Sequence, residues 1–239
     1  MKRLLMMLPL LLVVSGDAMA LERHNSMAMT CAEAKAALQS DGKIVVVGSG
    51  VDNAVTGASE GALARYNPNG TLDTSFSGDG TQTTDFGLGE GGQATGVAIQ
   101  GNGKLVVVGS AGATSISQDF ALARYNADGS LDTSFSGDGT QTTDFLFGAA
   151  DVANDVAIQT NGRIFAVGFA GGGATGDDFA LARYKTDGSL DPSFSGDGRK
   201  RTSFGGSDRA NGVALQGDGR IVAAGVGNGE FALARYLGG

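Results

Sequence analysis

Beyond residue 40 the chain is written in short apolar runs separated by polar turns, and no segment there carries a helical period. The run 120–125, Phe-Ala-Leu-Ala-Arg-Tyr, places Phe120, Leu122 and Arg124 on one face and Ala121, Ala123 and Tyr125 on the other, which is the period of two of a strand. Three companion runs, 96–100, 104–109 and 140–145, complete a predicted four-stranded unit. The first two are joined by Gly101-Asn102-Gly103, and the equivalent joins carry Asp41-Gly42, Asn161-Gly162 and Asp218-Gly219. Such pairs favour a tight hairpin in which both turn residues adopt positive φ, so the first two runs of each unit are expected to pair as a hairpin.

The unit repeats. Residues 62–86, ALARYNPNGTLDTSFSGDGTQTTDF, return at 121–145 with only Pro68, Asn69 and Thr71 changed, to Ala127, Asp128 and Ser130. The Phe-Ala-Leu-Ala-Arg-Tyr box recurs at 179–184 and 231–236, with a Gly-started form at 61–66. A second box, Val-Ala-(Ile/Leu)-Gln, stands at 97–100, 156–159 and 213–216, with a worn copy at 36–39. Four antiparallel strands per roughly 50–60 residues, repeated, predict a β-propeller, whereas β-solenoid rungs are shorter and lack these hairpins. The alanines suit sheets packed face to face. The expected fold is therefore all-β, a β-propeller of about four four-stranded antiparallel blades whose last blade holds only three strand-like runs. An open array would expose an edge strand. Either residues 21–30 lie against 231–236 as an improvised fourth strand, or two chains associate to complete a larger ring.

The segments DGKIVVVG (41–48), FALARYNADGSLDTSF (120–135) and SGDGTQTTDF (136–145) resemble the delta-60 repeat family, exported bacterial β-propeller-like repeats of uncharacterised function, over roughly residues 36–237. The resemblance implies a propeller and an export context, and it implies no catalytic residue. Residues 21–34 depart from the opening pattern of that family, which supplies the outermost strand of the last blade.

The N-terminus adds a leader. Lys2 and Arg3 precede the apolar run 4–14, and Ala18-Met19-Ala20 offers a cleavage site, so residues 1–20 read as a signal peptide, 21–35 as an N-terminal segment and 36–239 as the repeat domain. The run is too short to span a bilayer, which points to a periplasmic or secreted protein without membrane insertion. Cys31 follows Thr30 rather than a small residue, against lipidation, and a single cysteine forms no intrachain disulfide. The net charge of −8, more negative still without residues 1–20, argues against nucleic acid and anionic membranes as partners.

The internal copies separate fixed from variable joins. The Leu-Asp-x-Ser-Phe-Ser-Gly-Asp-Gly segments starting at Leu72, Leu131 and Leu190 are nearly constant, whereas the joins 48–60, 109–119, 168–178 and 225–230 differ, as do the joins between units such as 87–95 and 205–211. In an up-and-down blade the variable joins emerge together, and recognition is expected there. The candidate ligand-binding residues on that face are Asp52, Asp119, Asp177 and Asp208, with Thr95, Asn154 and Asn211 at the mouth of the inner strands. The recurring Arg65, Arg124, Arg183 and Arg235 and the recurring Asp73, Asp132 and Asp191 read as structural ion pairs.

Catalysis finds little support. The single histidine is His24, beside the leader, which removes Ser-His-Asp and Cys-His schemes and histidine metal sites. Carboxylate chemistry remains, with acids that include Glu60, Glu90, Asp151, Asp178 and Glu230, but Glu60, Asp119, Asp178 and Glu230 share one repeat position. The Gly-rich stretches 47–50 and 171–173 read as hairpin loops, and the loop 126–132 as an Asp-Gly turn rather than a calcium loop. The expected protein is an exported, non-enzymatic binding or structural module without a cofactor, with a polysaccharide or another exported protein as partner and self-association where the ring is incomplete. A carboxylate-dependent glycan hydrolase and a calcium-stabilised adhesion module are the alternatives.

Overall fold

The structure, a computed structural model, describes residues 35–51, 59–86, 91–112, 117–146, 148–173 and 176–238. The predicted leader, Cys31 and the proposed strand at 21–30 lie outside these residues. All regular elements described are strands, arranged as three four-stranded sheets and one of three strands, each in simple sequential order. The first sheet is β1 (Lys35–Leu38), β2 (Ile44–Val51), β3 (Ser59–Tyr66) and β4 (Thr81–Thr84). The second is β5 (Gln93–Ile99), β6 (Leu105–Ala111), β7 (Asp119–Tyr125) and β8 (Thr140–Thr143). The third is β9 (Asp151–Ile158), β10 (Ile164–Gly173), β11 (Gly176–Tyr184) and β12 (Arg199–Thr202), and the fourth is β13 (Arg209–Leu215), β14 (Ile221–Gly227) and β15 (Glu230–Tyr236). Every pairing is antiparallel, so each sheet is an up-and-down propeller blade.

Consecutive sheets pack face to face, and the alternation seen in the sequence decides which neighbour each residue meets. Phe120 and Leu122 join the core shared with the third sheet, while Ala121, Ala123 and Tyr125 join the core shared with the first. One sheet on, Phe179 and Leu181 pack toward the fourth sheet and Ala180, Ala182 and Tyr184 toward the second. Each buried aromatic or leucine side chain of this kind contributes about 1.5–3 kcal/mol relative to exposure. Among the described residues no core joins the fourth sheet to the first. The fourth sheet presents the same face to solvent, with Phe231 76% and Leu233 54% exposed, flanked by Val226 and Leu237.

The β1–β2-type hairpins form as expected, but their turns differ from the expected type. Only the glycine has positive φ, 83° at Gly42 and 82° at Gly103, and the Gly103 N–H donates to Gln100 O while the Gln100 N–H donates to Lys104 O. This is a type I turn closed by one left-handed glycine, the three-residue hairpin loop. The preceding Asn or Asp takes an ordinary φ because its side chain accepts the N–H two residues on, as Asn102 Oδ1 does from Lys104 at 3.2 Å. A second glycine is required by close approach. Where β5 and β6 shift register, a Cβ on Gly109 would stand 1.8 Å from Gln93 O, and Gly168 and Gly225 repeat the constraint at the later sheets.

Candidate functional site

On the side of the constant turns, the recurring arginines clamp one sheet to the next. Arg124 Nε pairs with Asp132 Oδ2 at 2.6 Å, Lys104 Nζ reaches the same oxygen at 2.5 Å, and Arg124 Nη1 donates to Thr186 O of the third sheet's loop at 2.5 Å. Its guanidinium lies 4.7 Å over the Phe135 ring. Arg65 with Asp73 and Lys43, and Arg183 with Asp191 and Arg163, repeat the arrangement, donating across to Ala127 O and Gly238 O. Burial alone would raise the Asp132 carboxyl, but the Lys104, Ser134 and Arg124 hydrogen bonds outweigh it and hold the group well below the usual carboxylate range. Asp73 behaves alike, and Asp191 is held at about 2 despite its burial by Ser193 and Arg163. Arg235, the fourth member, is exposed and pairs with none of the recurring aspartates.

The sequence reading missed two parts of this clamp. One is the second cation, Lys43, Lys104 or Arg163, which the recurring basic residue after each hairpin glycine signals. The other is a buried hydroxyl pair: Tyr125 to Thr84 at 2.6 Å and Tyr184 to Thr143 at 2.9 Å, each spanning neighbouring sheets. Burial pushes both phenols above their ordinary range.

The residues predicted to bind a ligand on the variable face do not converge. Asp52 lies outside the described residues. Asp208 is fully buried and acts as a cap, its Oδ2 accepting the Phe204 N–H at 2.5 Å and its Oδ1 the Asn228 N–H at 2.8 Å, which corrects its assignment as a surface ligand group. Asp177 pairs with Arg209 at 2.7 Å. Thr95 and Asn154 stitch inner strands together instead of facing a ligand: Thr95 Oγ1 donates to Ala153 O at 2.5 Å and Asn154 Nδ2 to Ala210 O at 2.8 Å. Asn211 is exposed on β13.

Asp119 alone of that set enters a cluster. It opens β7, Asp144 follows β8 and Asp151 opens β9, and one carboxylate oxygen from each lies within 4.8 Å of the other two. Asp151 is fully buried. Its Oδ2 accepts the Phe145 N–H at 2.7 Å, while its Oδ1, like Asp144 Oδ1, is buried without a hydrogen-bond partner. No Lys or Arg among the described residues forms an ion pair with any of the three, and Arg199 meets Asp144 only at its main-chain carbonyl, at 2.5 Å. Burial, with the Asp144 and Asp119 charges added, pushes the Asp151 carboxyl up to about 7, and burial with Asp144 raises Asp119. Two ionised carboxylates at this spacing repel by about 3–4 kcal/mol at an intermediate effective dielectric. Of the trio, Asp144 escaped the sequence reading, although its signal is visible: the fourth-strand segment ends Thr-Asp-Phe at 143–145 and Ser-Phe at 203–204.

Two clefts lie away from this cluster. One of about 620 Å³ lies between the second and third sheets on the constant-turn side, against Gln100, Lys104, Arg124 and Gln159, and a repeat of about 560 Å³ lies between the first and second against Gln39, Lys43, Arg65 and Gln100.

The family described as Domain of unknown function (DUF5122) beta-propeller matches residues 39–76, 100–135 and 159–194, windows that run from each hairpin turn to the phenylalanine under the arginine clamp. No curated protein matches the chain. Among solved structures, an X-ray structure provisionally named a gluconolactonase is similar with a TM-score of 0.40 and 14% identity, over 84% of this chain and 57% of that one. The chain therefore spans little more than half of that protein, and a likeness at this level says nothing about activity.

Proposed function

We propose that this protein, a chain of DUF5122 β-propeller repeats, works by association and not by catalysis, as an exported module that docks head to tail with a second copy of itself. The observation that carries the reading is the open face of the fourth sheet. Phe231 and Leu233 occupy the places of Phe120 and Leu122, which are fully buried against the next sheet, and Arg235 occupies the place from which Arg124 donates across the junction. The complementary surface is the front of the first sheet, where Ile44 and Tyr66 are half-buried although Leu105, Ile164 and Ile221, and Tyr125 and Tyr184, are fully buried against a preceding sheet. There Ala62 and Ala64 are already buried. Docking of these two faces is heterologous and leads to rings where the rotation closes.

Against catalysis stands the carboxylate cluster itself. Glycan hydrolysis places two carboxyl groups roughly 5–9.5 Å apart across a substrate cleft, whereas Asp119, Asp144 and Asp151 crowd within 4.8 Å around a fully buried side chain. A surface polysaccharide or another exported protein is the partner class this reading assigns to the variable joins.

Sedimentation velocity tests the assembly. The parent chain is expected to associate with rising concentration, and Leu233→Asp, a change at an exposed position, to sediment as a monomer with an unchanged melting temperature. A parent that stays monomeric at about 100 μM, or a Leu233→Asp chain that associates equally, overturns the reading.

A further inference from the structure

The three junctions between consecutive sheets carry the same three positions on the variable-loop side, and the chain fills them differently. At the first junction they are Glu60, Asp85 and Gly92; at the second Asp119, Asp144 and Asp151; at the third Asp178, Ser203 and Asp208. At the third, both acids have partners inside the fold, although Asp178 Oδ1 too is buried without a hydrogen bond. Arg201 pairs with Asp178 at 2.8 Å, the middle position is a hydroxyl, and both oxygens of Asp208 accept main-chain N–H groups. At the second, the residue in the place of Arg201 is Thr142, opposite Ala121 as Arg201 is opposite Ala180, and all three positions are carboxylates.

We propose that Asp119, Asp144 and Asp151 form a calcium site that ties β7, β8 and β9 together at the second junction. The acidic cluster is joined by a second, independent observation. Asp151 is fully buried, is held in place by the Phe145 N–H on Oδ2 and by its own N–H to Gln118 O at 2.6 Å, and keeps an oxygen with no hydrogen-bond partner; Asp144 contributes another. Buried carboxylate oxygens are ordinarily satisfied, so two orphaned ones in a cluster that no Lys or Arg among the described residues neutralises are suited to hold a cation. An all-oxygen donor set selects a hard cation. Calcium accepts six to eight oxygen ligands in irregular geometry, whereas magnesium demands a near-ideal octahedron and retains several waters, and three carboxylates gathered within 4.8 Å of one another on three separate strands and joins suit the more tolerant ion. Calcium would do at this junction what the Arg201 guanidinium does at the next.

Thermal unfolding of the full chain tests the site. After exhaustive treatment with EDTA, about 1 mM calcium chloride is expected to raise the melting temperature of the parent by several degrees, by mass action on the folded state, and magnesium chloride by much less. Asp151→Asn keeps the shape, relieves the repulsion and is expected to melt in EDTA no lower than the parent while losing the calcium response. Thr142→Arg imports the guanidinium of the third junction and is expected to melt higher in EDTA and to lose the response as well; this variant decides the matter should Asp151→Asn fail to fold. A parent that moves by less than about 1 °C with calcium, a response to magnesium alone, or a calcium shift that survives in either folded variant overturns the proposal.

Discussion

Phe120 and Phe231 stand at the same place in sheets written with the same six residues, and one is fully buried while the other is 76% exposed. The same holds for Arg124, 6% exposed and bonded to both Asp132 and the next sheet, against the exposed Arg235. The local chain is not the cause, since both boxes form regular strands with the same register against their hairpin partners. What differs, among the described residues, is a following sheet packed on that face. An apolar side chain gains stability only from the surface it meets, so an identical strand is core in one place and a docking surface in the other.

Removing the ring from each position gives the widest separation. Phe120→Ala is expected to destabilise by about 3–5 kcal/mol, as large-to-small core changes do, and Phe231→Ala to change stability by less than about 0.5 kcal/mol, both read by urea unfolding at low protein concentration. Equal losses would show that the fourth sheet's face is covered after all. The arginines should divide in the same way. Arg124→Ala is expected to cost about 3 kcal/mol, near the lower end for a buried ion pair because Lys104 still reaches Asp132, while Arg235→Ala leaves the unfolding midpoint where it was.

A smaller effect separates the tyrosines. Tyr184→Phe orphans the buried Thr143 hydroxyl and should cost about 1–2 kcal/mol. Tyr66 stands in the first described sheet, is half-buried with no hydroxyl partner among the described residues, and is expected to tolerate the same change without a measurable shift. The pH dependence is the subtlest contrast, between the two sides of the second junction. Asp151 in the folded chain is raised to about 7, above its unfolded value, so the native state holds the extra proton and stability rises as pH falls from above 7 toward about 4. Asp132 and Asp191 are lowered, so their contribution is complete above about 4 and is lost only as pH falls further, through about 2 for Asp191. In EDTA the melting temperature should therefore be a few degrees higher at pH 5 than at pH 8, Asp151→Asn should flatten that slope, and acid unfolding below pH 3 should be the same in both.

Much of the fold was legible because a repeat lets a chain serve as its own alignment. Period-two alternation in 120–125 named the two faces of β7 correctly, and the hairpin glycines marked the joins between first and second strands, although the turn itself is type I with a bulge because Asn102 satisfies its neighbour's N–H from the side chain. The candidate site was far less legible. Asp119, Asp177 and Asp208 look alike as loop acids, yet one sits in a like-charged cluster, one pairs with Arg209 and one is a buried cap. Whether a carboxylate binds, pairs or caps depends on groups from other strands. For Asp151 those are Phe145, Asp144 and Asp119, from the join before it and from a strand in the neighbouring sheet.

By itself, then, the sequence determined the strands, their alternation, the repeat and the direction in which each sheet offers its third-strand leucine, with a phenylalanine beside it in all but the first, because these follow from backbone geometry and side-chain period within a few residues. Only the tertiary structure decided which of those faces are filled, which aspartates share a cluster, and that Arg65, Arg124 and Arg183 reach across to the next sheet while Arg235 does not. Burial, desolvation and charge repulsion are properties of neighbours brought together from distant parts of the chain, and no local pattern encodes them.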